Sequence, residues 1–398
     1  MPVRTKVALA GEPKIALPRM PRNPLPKDLR EKCRAAALAA ADWYVHSQVR
    51  MTKPHWDAND GRFLYNYHMP TKTPVLGIDW TQARAAFVLL SAYQVTGRKV
   101  YLETAARGMA YDDSLQILDR RRPERFGAFR EEVPASTYCH VRDAAEAAEG
   151  YVKLHAFTGE PDPLYRAQVY ARWQLKYGSR DGLPMCTFSL VDDRHAPQTR
   201  AFSVGAAKLF NALYDVTGQR SWLSRGTVPM LGFLIERCQQ DDGGLAHSPG
   251  RTETRTFNDD GCGVALLGGY LRTGRTEFLD AALAFGEWTL SQAPPFPRHC
   301  AFPSMAVFLA DLWRLTGDRD YLDWIAAHIK KWLFARQVLK TKDPLARGAF
   351  RGEDEPVDGY IPGTDPMGYV NTRNTCYAAL ACFKLSAKGW PAGYTAFP

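Results

Sequence analysis

The sequence predicts an all-α fold in which six helical hairpins close into a ring, and three observations carry this prediction. Five apolar segments end in Thr-Gly, at Gly97, Gly159, Gly218, Gly274 and Gly317. A ring-bearing residue stands three positions before each of these threonines. Four of the segments are followed by an aromatic-Leu pair that begins a second helical pattern. A hairpin of two helices cannot bury its apolar face alone, so we expect the copies to stack against one another.

Each repeat is predicted to contain an inner helix, which ends where glycine supplies a left-handed C-cap, and an outer helix. The six inner helices are expected at about residues 80–96, 141–158, 201–217, 259–273, 302–316 and 371–387. The six outer helices are expected at about residues 29–50, 99–119, 162–176, 220–239, 276–292 and 320–338. Six hairpins suffice to close an (α/α)6 barrel, or toroid, with short turns and hairpin loops at its mouth; an open solenoid is the alternative.

The domain prediction is an extended, proline-rich arm at residues 1–27 followed by a single domain at residues 28–398. The chain is 45% apolar and 23% charged, which is typical of a globular protein. Its net charge is +9, but the basic residues are dispersed, so we expect an anionic small substrate rather than nucleic acid. No segment approaches the length of an apolar membrane span, so we expect no membrane association.

The eight cysteines form no Cys-x-x-Cys pair and are expected to be buried, reduced thiols. Together with the lack of a secretory signal pattern, they favour a cytoplasmic location. No phosphate loop, nucleotide fingerprint or metal-ligand spacing is present, so we expect neither a cofactor nor a metal.

The Thr-Gly-x-x-x-aromatic-Leu junctions, with the Asp-Gly-Gly and Gly-Ala-Phe turns, resemble the six-hairpin glycosidase superfamily over roughly residues 28–388. Within it the chain looks most similar to unsaturated glucuronyl hydrolases and β-glucuronidases. The resemblance implies an active site at the N-terminal ends of the inner helices, where free N–H groups also favour anions. The same toroid is found in polysaccharide lyases, α-mannanases and N-acylglucosamine 2-epimerases, so fold alone does not decide the chemistry.

Two aspartates begin consecutive inner helices, Asp79 the first and Asp143 the second. The resemblance implies that Asp143 is the general acid/base and Asp79 its partner. Arg142 and Glu146 crowd Asp143, and a nearby carboxylate with an apolar wall would raise its pKa, as a general acid requires. The family's first aspartate lies in a His-Asp-x-Gly-Phe stretch, whereas this chain has Gly-Ile-Asp-Trp. A helix N-cap is the alternative role for both aspartates.

The adjacent aspartates Asp259 and Asp260, before the fourth inner helix, are a rival pair. They resemble the catalytic pair of α-1,6-mannanases, so Asp260 is the third catalytic candidate. An acidic helix cap is the alternative role. A hydrolase of this kind needs two carboxyl groups at a defined separation.

Candidate substrate contacts lie in the same turns and helix starts. Arginine can hold a substrate carboxylate through paired hydrogen bonds, although internal ion pairing is the alternative; these arginines are Arg84, Arg130, Arg142, Arg351 and Arg373. Trp80 and Phe129 are predicted to stack on sugar rings, and Tyr138 and His140 to transfer protons. The other predicted contacts are Gln82, Glu146, Asp259 and Asn374.

The predicted function is hydrolysis of oligosaccharides that contain glucuronyl or unsaturated glucuronyl residues, by carboxylate acid/base catalysis. The expected partner is an anionic oligosaccharide, and a homo-oligomer remains an open alternative. A polysaccharide lyase would use Tyr138 or His140 as base and Arg142 to neutralise the uronate. A sugar 2-epimerase would need His140 and His247 as a facing pair. A glycan-binding toroid without activity is the remaining alternative.

Overall fold

The computed structural model describes residues 3, 5–19, 21–51, 59–180, 183–195, 205–247, 249–250, 252–253, 255–258, 261–296, 299–352 and 363–387. The predicted contact Asp259 and the predicted catalytic Asp260 lie outside these residues. The chain forms two compact units. None of the described helices has the length and hydropathy of a membrane span.

The first unit comprises residues 1–4, 21–113 and 293–389. Its helices are α1 (Lys27–Ser47), α2 (Asp79–Thr96), α3 (Lys99–Asp113), α10 (Ala301–Thr316), α11 (Asp320–Trp332) and α12 (Thr372–Ser386). Its strands are β1 (Leu64–His68), β2 (Thr73–Leu76) and β8 (Tyr369–Asn371). They form an antiparallel sheet in the order β2–β1–β8, and β8 continues directly into α12.

The second unit comprises residues 5–20, 114–292 and 390–398. Its helices are α4 (Val141–Thr158), α5 (Pro161–Trp173), α6 (Ala207–Thr217), α7 (Val228–Cys238), α8 (Cys262–Thr273) and α9 (Thr276–Ser291). Its strands are β3 (Tyr138–His140), β4 (Ser179–Arg180), β5 (Leu183–Pro184), β6 (Thr187–Ser189) and β7 (Arg194–His195). They form two small antiparallel sheets, in the orders β3–β6–β7 and β4–β5.

The Thr-Gly motifs end five helices in the predicted way. Gly97, Gly159, Gly218, Gly274 and Gly317 all adopt left-handed backbone angles, with φ between 68° and 78°. Each glycine N–H donates to the carbonyl of the ring-bearing residue four positions earlier, as Gly97 does to Tyr93 at 2.7 Å. The repeat motif therefore marks the C-terminal ends of α2, α4, α6, α8 and α10, which confirms the prediction of these five inner helices.

Inner and outer helices differ in how much of their surface is buried. In α10 every residue from Ala301 to Arg314 is buried. In α11, which follows it, only Tyr321, Leu322, Ile325 and Ile329 are buried, all on one face. A helix that is apolar all round belongs in a core, whereas a one-sided helix covers it.

The predicted outer helix at residues 220–239 is interrupted. Residues Leu223–Thr227 form a π-helical turn, and α7 begins only at Val228. Pro229 has no N–H to donate to the preceding turn, so the ladder of hydrogen bonds changes its spacing there. The inner helix predicted from residue 201 appears as α6 from Ala207.

The N-terminal arm lies against its own chain. In the second unit its backbone N–H groups donate to last-turn carbonyls of α4, α6 and α8. These hydrogen bonds join Lys6 to Ala156, Ala10 to Asp215 and Ile15 to Leu271, each at 2.9 Å. Carbonyls in the last turn of a helix have no partner within the helix, so the arm satisfies one in each of three helices.

Candidate active site at the start of α4

Strand β3 and helix α4 together fix the position of Asp143. In β3, Tyr138 pairs with Ser189 of β6 and His140 pairs with Thr187. The strand then passes without a loop into α4, and the Val141 N–H donates to the Cys186 carbonyl at 2.9 Å. Asp143 therefore occupies the first turn of the helix, where free N–H groups and the helix dipole stabilise a negative charge.

Asp143 belongs to a cluster with Glu131 and His140. One oxygen of each carboxyl group and one ring nitrogen all lie within 4.8 Å of one another. Asp143 and Glu131 are buried, with 5% and 4% of their surface exposed. Glu131 Oε2 accepts the backbone N–H of His140 at 3.1 Å, and His140 Nδ1 lies 3.7 Å from Asp143 Oδ2. The sequence therefore brings two carboxyl groups and an imidazole to one place.

Arg142 sets the charge of Asp143. Its Nε donates to Asp143 Oδ1 at 2.6 Å, and a second guanidinium nitrogen contacts the same oxygen. Burial alone would raise the pKa of Asp143, but the positive charges of Arg142 and His140 outweigh burial and lower it. The prediction that the pKa of Asp143 is raised is therefore wrong, because Arg142 is its ion-pair partner. Asp143 is a carboxylate at neutral pH.

Glu131 is the second carboxyl group of the cluster. Its carboxyl group is hydrogen-bonded to that of Asp143. Two carboxyl groups can share a hydrogen bond only when one of them holds a proton. Since Arg142 favours the ionised form of Asp143, a proton shared by the two groups is expected on Glu131. Glu131 is not among the catalytic residues predicted from the sequence.

Glu131, His140 and Asp143 could each offer one ligand atom to a divalent cation. Carboxylates and imidazoles are common metal ligands in proteins. The guanidinium of Arg142 already holds Asp143, and its charge opposes a second cation. The arrangement therefore suits proton transfer better than metal binding.

Tyr138 lies beside this cluster and is held by another carboxylate. Its hydroxyl donates to Glu132 Oε1 at 3.0 Å, and its ring meets that of His140 edge-on at 6.1 Å. Its predicted role in proton transfer stays a prediction.

Glu146 belongs to a second charged group further along α4. Glu149 and Lys153 lie on the same helix face and are joined by a 2.9 Å ion pair. Lys208 of α6 reaches both glutamates, at 3.9 Å from Glu146 and 3.5 Å from Glu149. Burial would raise the pKa of Glu149, but Lys153 and Lys208 outweigh it and lower the pKa. The structure thus places Glu146 in an internal charge network, and its contact with substrate stays a prediction.

The Gly-Ala-Phe-Arg turn before Glu131 contains two predicted substrate contacts, and their surroundings differ. Phe129 is fully buried, and its ring packs against Tyr151 and Tyr170. The ring is enclosed by these neighbours, and its predicted role as a sugar platform stays a prediction. Arg130 is half-buried, and its guanidinium makes no hydrogen bond or ion pair with the described residues. Burial and the charge of Arg125 lower the pKa of Arg130, as expected for an uncompensated cation.

In the first unit, Asp79 begins α2 and is fully buried, and its Oδ1 accepts the N–H of Trp80 at 2.6 Å. Its charge acts on Asp112, at the end of α3, which the sequence did not single out. The catalytic role of Asp79 stays a prediction.

Gln82, also in α2, accepts from the Phe63 N–H and donates to the Ile78 carbonyl. Both ends of its amide hold the backbone, and its predicted substrate contact stays a prediction.

Trp80, Arg84 and Arg373 pack together in the first unit. The Arg84 guanidinium lies 5.0 Å from the Trp80 ring and 4.5 Å from that of Tyr377, and Arg373 lies 5.4 Å from Trp80. Only 2% of Trp80 is exposed, and its predicted role as a sugar platform stays a prediction. Carboxylate binding by Arg84 and Arg373 stays a prediction.

The last predicted contacts lie around Gly352 in the first unit. Asn374 donates to the Gly352 carbonyl, and its N–H is capped by Asn371 at 2.8 Å. Arg351 is half-buried and its guanidinium donates to the Met367 carbonyl at 3.4 Å. Substrate binding by Arg351 and Asn374 stays a prediction.

No protein-family model matches the chain, and no curated protein matches its sequence. Solved structures do resemble it over most of its length. A cellobiose 2-epimerase from Bacillus thermoamylovorans has a TM-score of 0.70 at 9% identity, covering 90% of this chain and 99% of its own. A family 76 glycoside hydrolase (mannosidase) from Bacteroides thetaiotaomicron has a TM-score of 0.65 at 15% identity, covering 89% and 98%.

A third similar structure is an inactive α-1,6-mannanase from a Salegentibacter species, with two adjacent aspartates replaced by asparagine and α-1,6-mannotriose bound. Its TM-score is 0.61 at 11% identity, covering 89% of this chain and 98% of its own. These proteins are six-hairpin enzymes, and the all-α (α/α)6 fold predicted from the sequence is confirmed. They include epimerases and hydrolases, so the likeness establishes the fold and leaves the reaction to the site.

Proposed function

We propose that this chain is a glycoside hydrolase that acts on oligosaccharides containing uronic acid residues. The observation that carries the proposal is the hydrogen-bonded pair of carboxyl groups at Glu131 and Asp143. Glycoside hydrolysis needs one protonated and one ionised carboxyl group at the same bond. Because Arg142 favours the ionised form of Asp143, Glu131 is assigned the proton.

In the proposed reaction, the two carboxyl groups separate to admit the glycosidic bond. The Glu131 proton passes to the glycosidic oxygen as the bond from that oxygen to the anomeric carbon breaks. The Asp143 carboxylate forms a bond to the same carbon. Water then displaces Asp143, and the Glu131 carboxylate takes up the proton of that water. Retaining enzymes hold their carboxyl groups about 5–5.5 Å apart, and the close pair here favours this route over direct attack by water.

The choice of a uronic acid substrate depends on Arg130, the residue next to Glu131. It is half-buried and carries a charge that no described carboxylate balances. A substrate carboxylate would supply that balance through paired hydrogen bonds. Replacement of Arg130 by methionine should therefore raise KM for a uronic acid oligosaccharide and leave KM for its neutral counterpart unchanged.

A sugar epimerase is the second candidate, and the contact of His140 with Asp143 supports it. An imidazole supported by a carboxylate can remove the proton next to a sugar carbonyl and return it on the opposite face. The lyase alternative is less favoured, because Arg142 is engaged by Asp143, and Tyr138, one of its two candidate bases, is engaged by Glu132.

One set of incubations in heavy water separates these reactions. The hydrolase should release new reducing ends without new ultraviolet absorbance, whereas a lyase would create an absorbing double bond. An epimerase would incorporate deuterium into the sugar without cleavage.

Glu131→Gln and Asp143→Asn should each lower kcat by at least about a hundredfold, because acid/base groups contribute about 10² to 10⁴ in rate. Glu132→Gln is the matched control, since this glutamate is the chain neighbour of Glu131 and its carboxylate accepts the Tyr138 hydroxyl. Near-full turnover in Asp143→Asn would overturn the proposal.

A further inference from the structure

His140 contacts both members of the carboxyl pair. Its backbone N–H donates to Glu131 Oε2 at 3.1 Å, and its ring Nδ1 lies 3.7 Å from Asp143 Oδ2. About 30% of its side chain is exposed, against 8% for that of Asp143. His140 is therefore the member of this cluster that can exchange protons with the solvent while it faces the buried carboxyl groups.

Thr187 fixes the orientation of the His140 ring. The two residues are directly opposite each other in the antiparallel pair of β3 and β6, so their side chains lie on the same face of the sheet. Thr187 Oγ1 lies 3.2 Å from His140 Nε2. With Nε2 held by this hydroxyl, Nδ1 is directed towards Asp143.

The charged surroundings of His140 come from two other parts of the second unit. Glu131 precedes β3, whereas Asp143 and Arg142 lie in the first turn of α4. Tyr138 lies on the same strand, with its ring 6.1 Å away and its hydroxyl bonded to Glu132. A protonated imidazole here adds a second positive charge beside Asp143, next to Oδ2, whereas Arg142 contacts Oδ1.

We propose that His140 is a positioning residue that sets the pH range in which Glu131 and Asp143 share a single proton, and that Thr187 orients its ring. This inference depends on the proposed hydrolase function for its activity readout. The charged imidazole stabilises the ionised form of the pair. Without that charge, the pair binds its proton more tightly, and both of its apparent pKa values rise.

The test compares the pH dependence of kcat/KM in the parent chain and three variants. His140→Gln removes the charge and should move both limbs of the bell-shaped profile to higher pH, by about one unit. Thr187→Val keeps the shape and removes the hydroxyl, so it should move the limbs in the same direction by less. Ser189→Ala is the matched control. It removes a hydroxyl from the same strand, β6, but this hydroxyl donates to Asp192, so the pH profile should not move.

A second measurement is independent of turnover. The carboxyl carbon of Asp143, labelled with carbon-13 and assigned by its loss in Asp143→Asn, should titrate at higher pH in His140→Gln than in the parent chain. Circular dichroism checks that each variant is folded.

Equal titration midpoints in His140→Gln and the parent, or a lower kcat at an unchanged pH profile, would overturn the role of His140. The proposed function fails separately, if Asp143→Asn or Glu131→Gln retains turnover.

Discussion

Asp143 in the second unit and Asp112 in the first are both buried carboxyl groups, yet their chemistry is opposite. Asp143 is paired with Arg142 and has a lowered pKa. Asp112 is fully buried, and neither of its oxygens has a hydrogen-bond partner among the described residues. Burial, followed by the charges of Asp79 and Asp113, raises its pKa well above the ordinary value, and Arg62 only partly opposes this. Burial thus disfavours charge in both places, and the presence of a directly bonded arginine decides which form exists.

The largest effect should follow from removing that arginine. Arg142→Leu turns Asp143 into an unpaired buried carboxylate, and the free energy of unfolding should fall by about 3 kcal/mol at neutral pH. The loss should shrink as pH falls towards about 4, because a protonated Asp143 no longer needs a partner. Urea unfolding at several pH values measures it. A loss that is the same at every pH would contradict the comparison.

Asp112→Asn should have a smaller effect of the opposite sign. A carboxyl group with a raised folded-state pKa stabilises fully only below its unfolded pKa, and that stability is lost as pH rises towards the folded value. The asparagine side chain cannot ionise. The free energy of unfolding of the variant should therefore exceed that of the parent by an amount that grows from near zero at pH 4 to about 2 kcal/mol at pH 8. Urea unfolding at the two pH values tests this. An advantage that does not grow with pH would break the argument.

The smallest effect should come from an ion pair that is not buried. Asp119 bonds Arg121 at 2.9 Å, and hydrogen bonds from Arg121 lower the pKa of Asp119 to about 2. Arg121→Ala should return that pKa towards its ordinary value with no measurable change in unfolding, because solvent screens the pair. Carboxyl NMR titration and urea unfolding measure the two quantities. A marked loss of stability would show that pairing matters here without burial.

The sequence predicted most of the inner helices because their ends carry a local signal. Thr-Gly needs only its own helix to act as a cap, so Gly97 or Gly274 could be recognised without any partner. Asp143 was found for the same reason, as an acidic residue in a helix start. Glu131 was missed, because its contact with Asp143 depends on the hydrogen bonds of His140 and on strands of three residues, too short for visible alternation. Asp112 was missed because the last turn of an outer helix gives no sign that its carboxyl group is enclosed.

Three of the predicted substrate contacts are buried in the structure. Phe129, Trp80 and Gln82 have the residue types of a sugar site, and they stand at the predicted places. Which side of a turn faces the core depends on tertiary packing, and Phe129 points towards Tyr170 instead of the solvent. Residue type and position along the chain cannot separate the two directions.

The N-terminal arm has a consequence for how the second unit tolerates change. Its contacts with α4, α6 and α8 are made by main-chain groups, so most side chains of the arm can vary without weakening them. Gly11 is different, because an added Cβ would lie 2.3 Å from the Tyr214 carbonyl oxygen. One stretch of backbone thereby couples the local unfolding of three helix ends. Opening of one end should displace the arm and weaken its hydrogen bonds to the next helix.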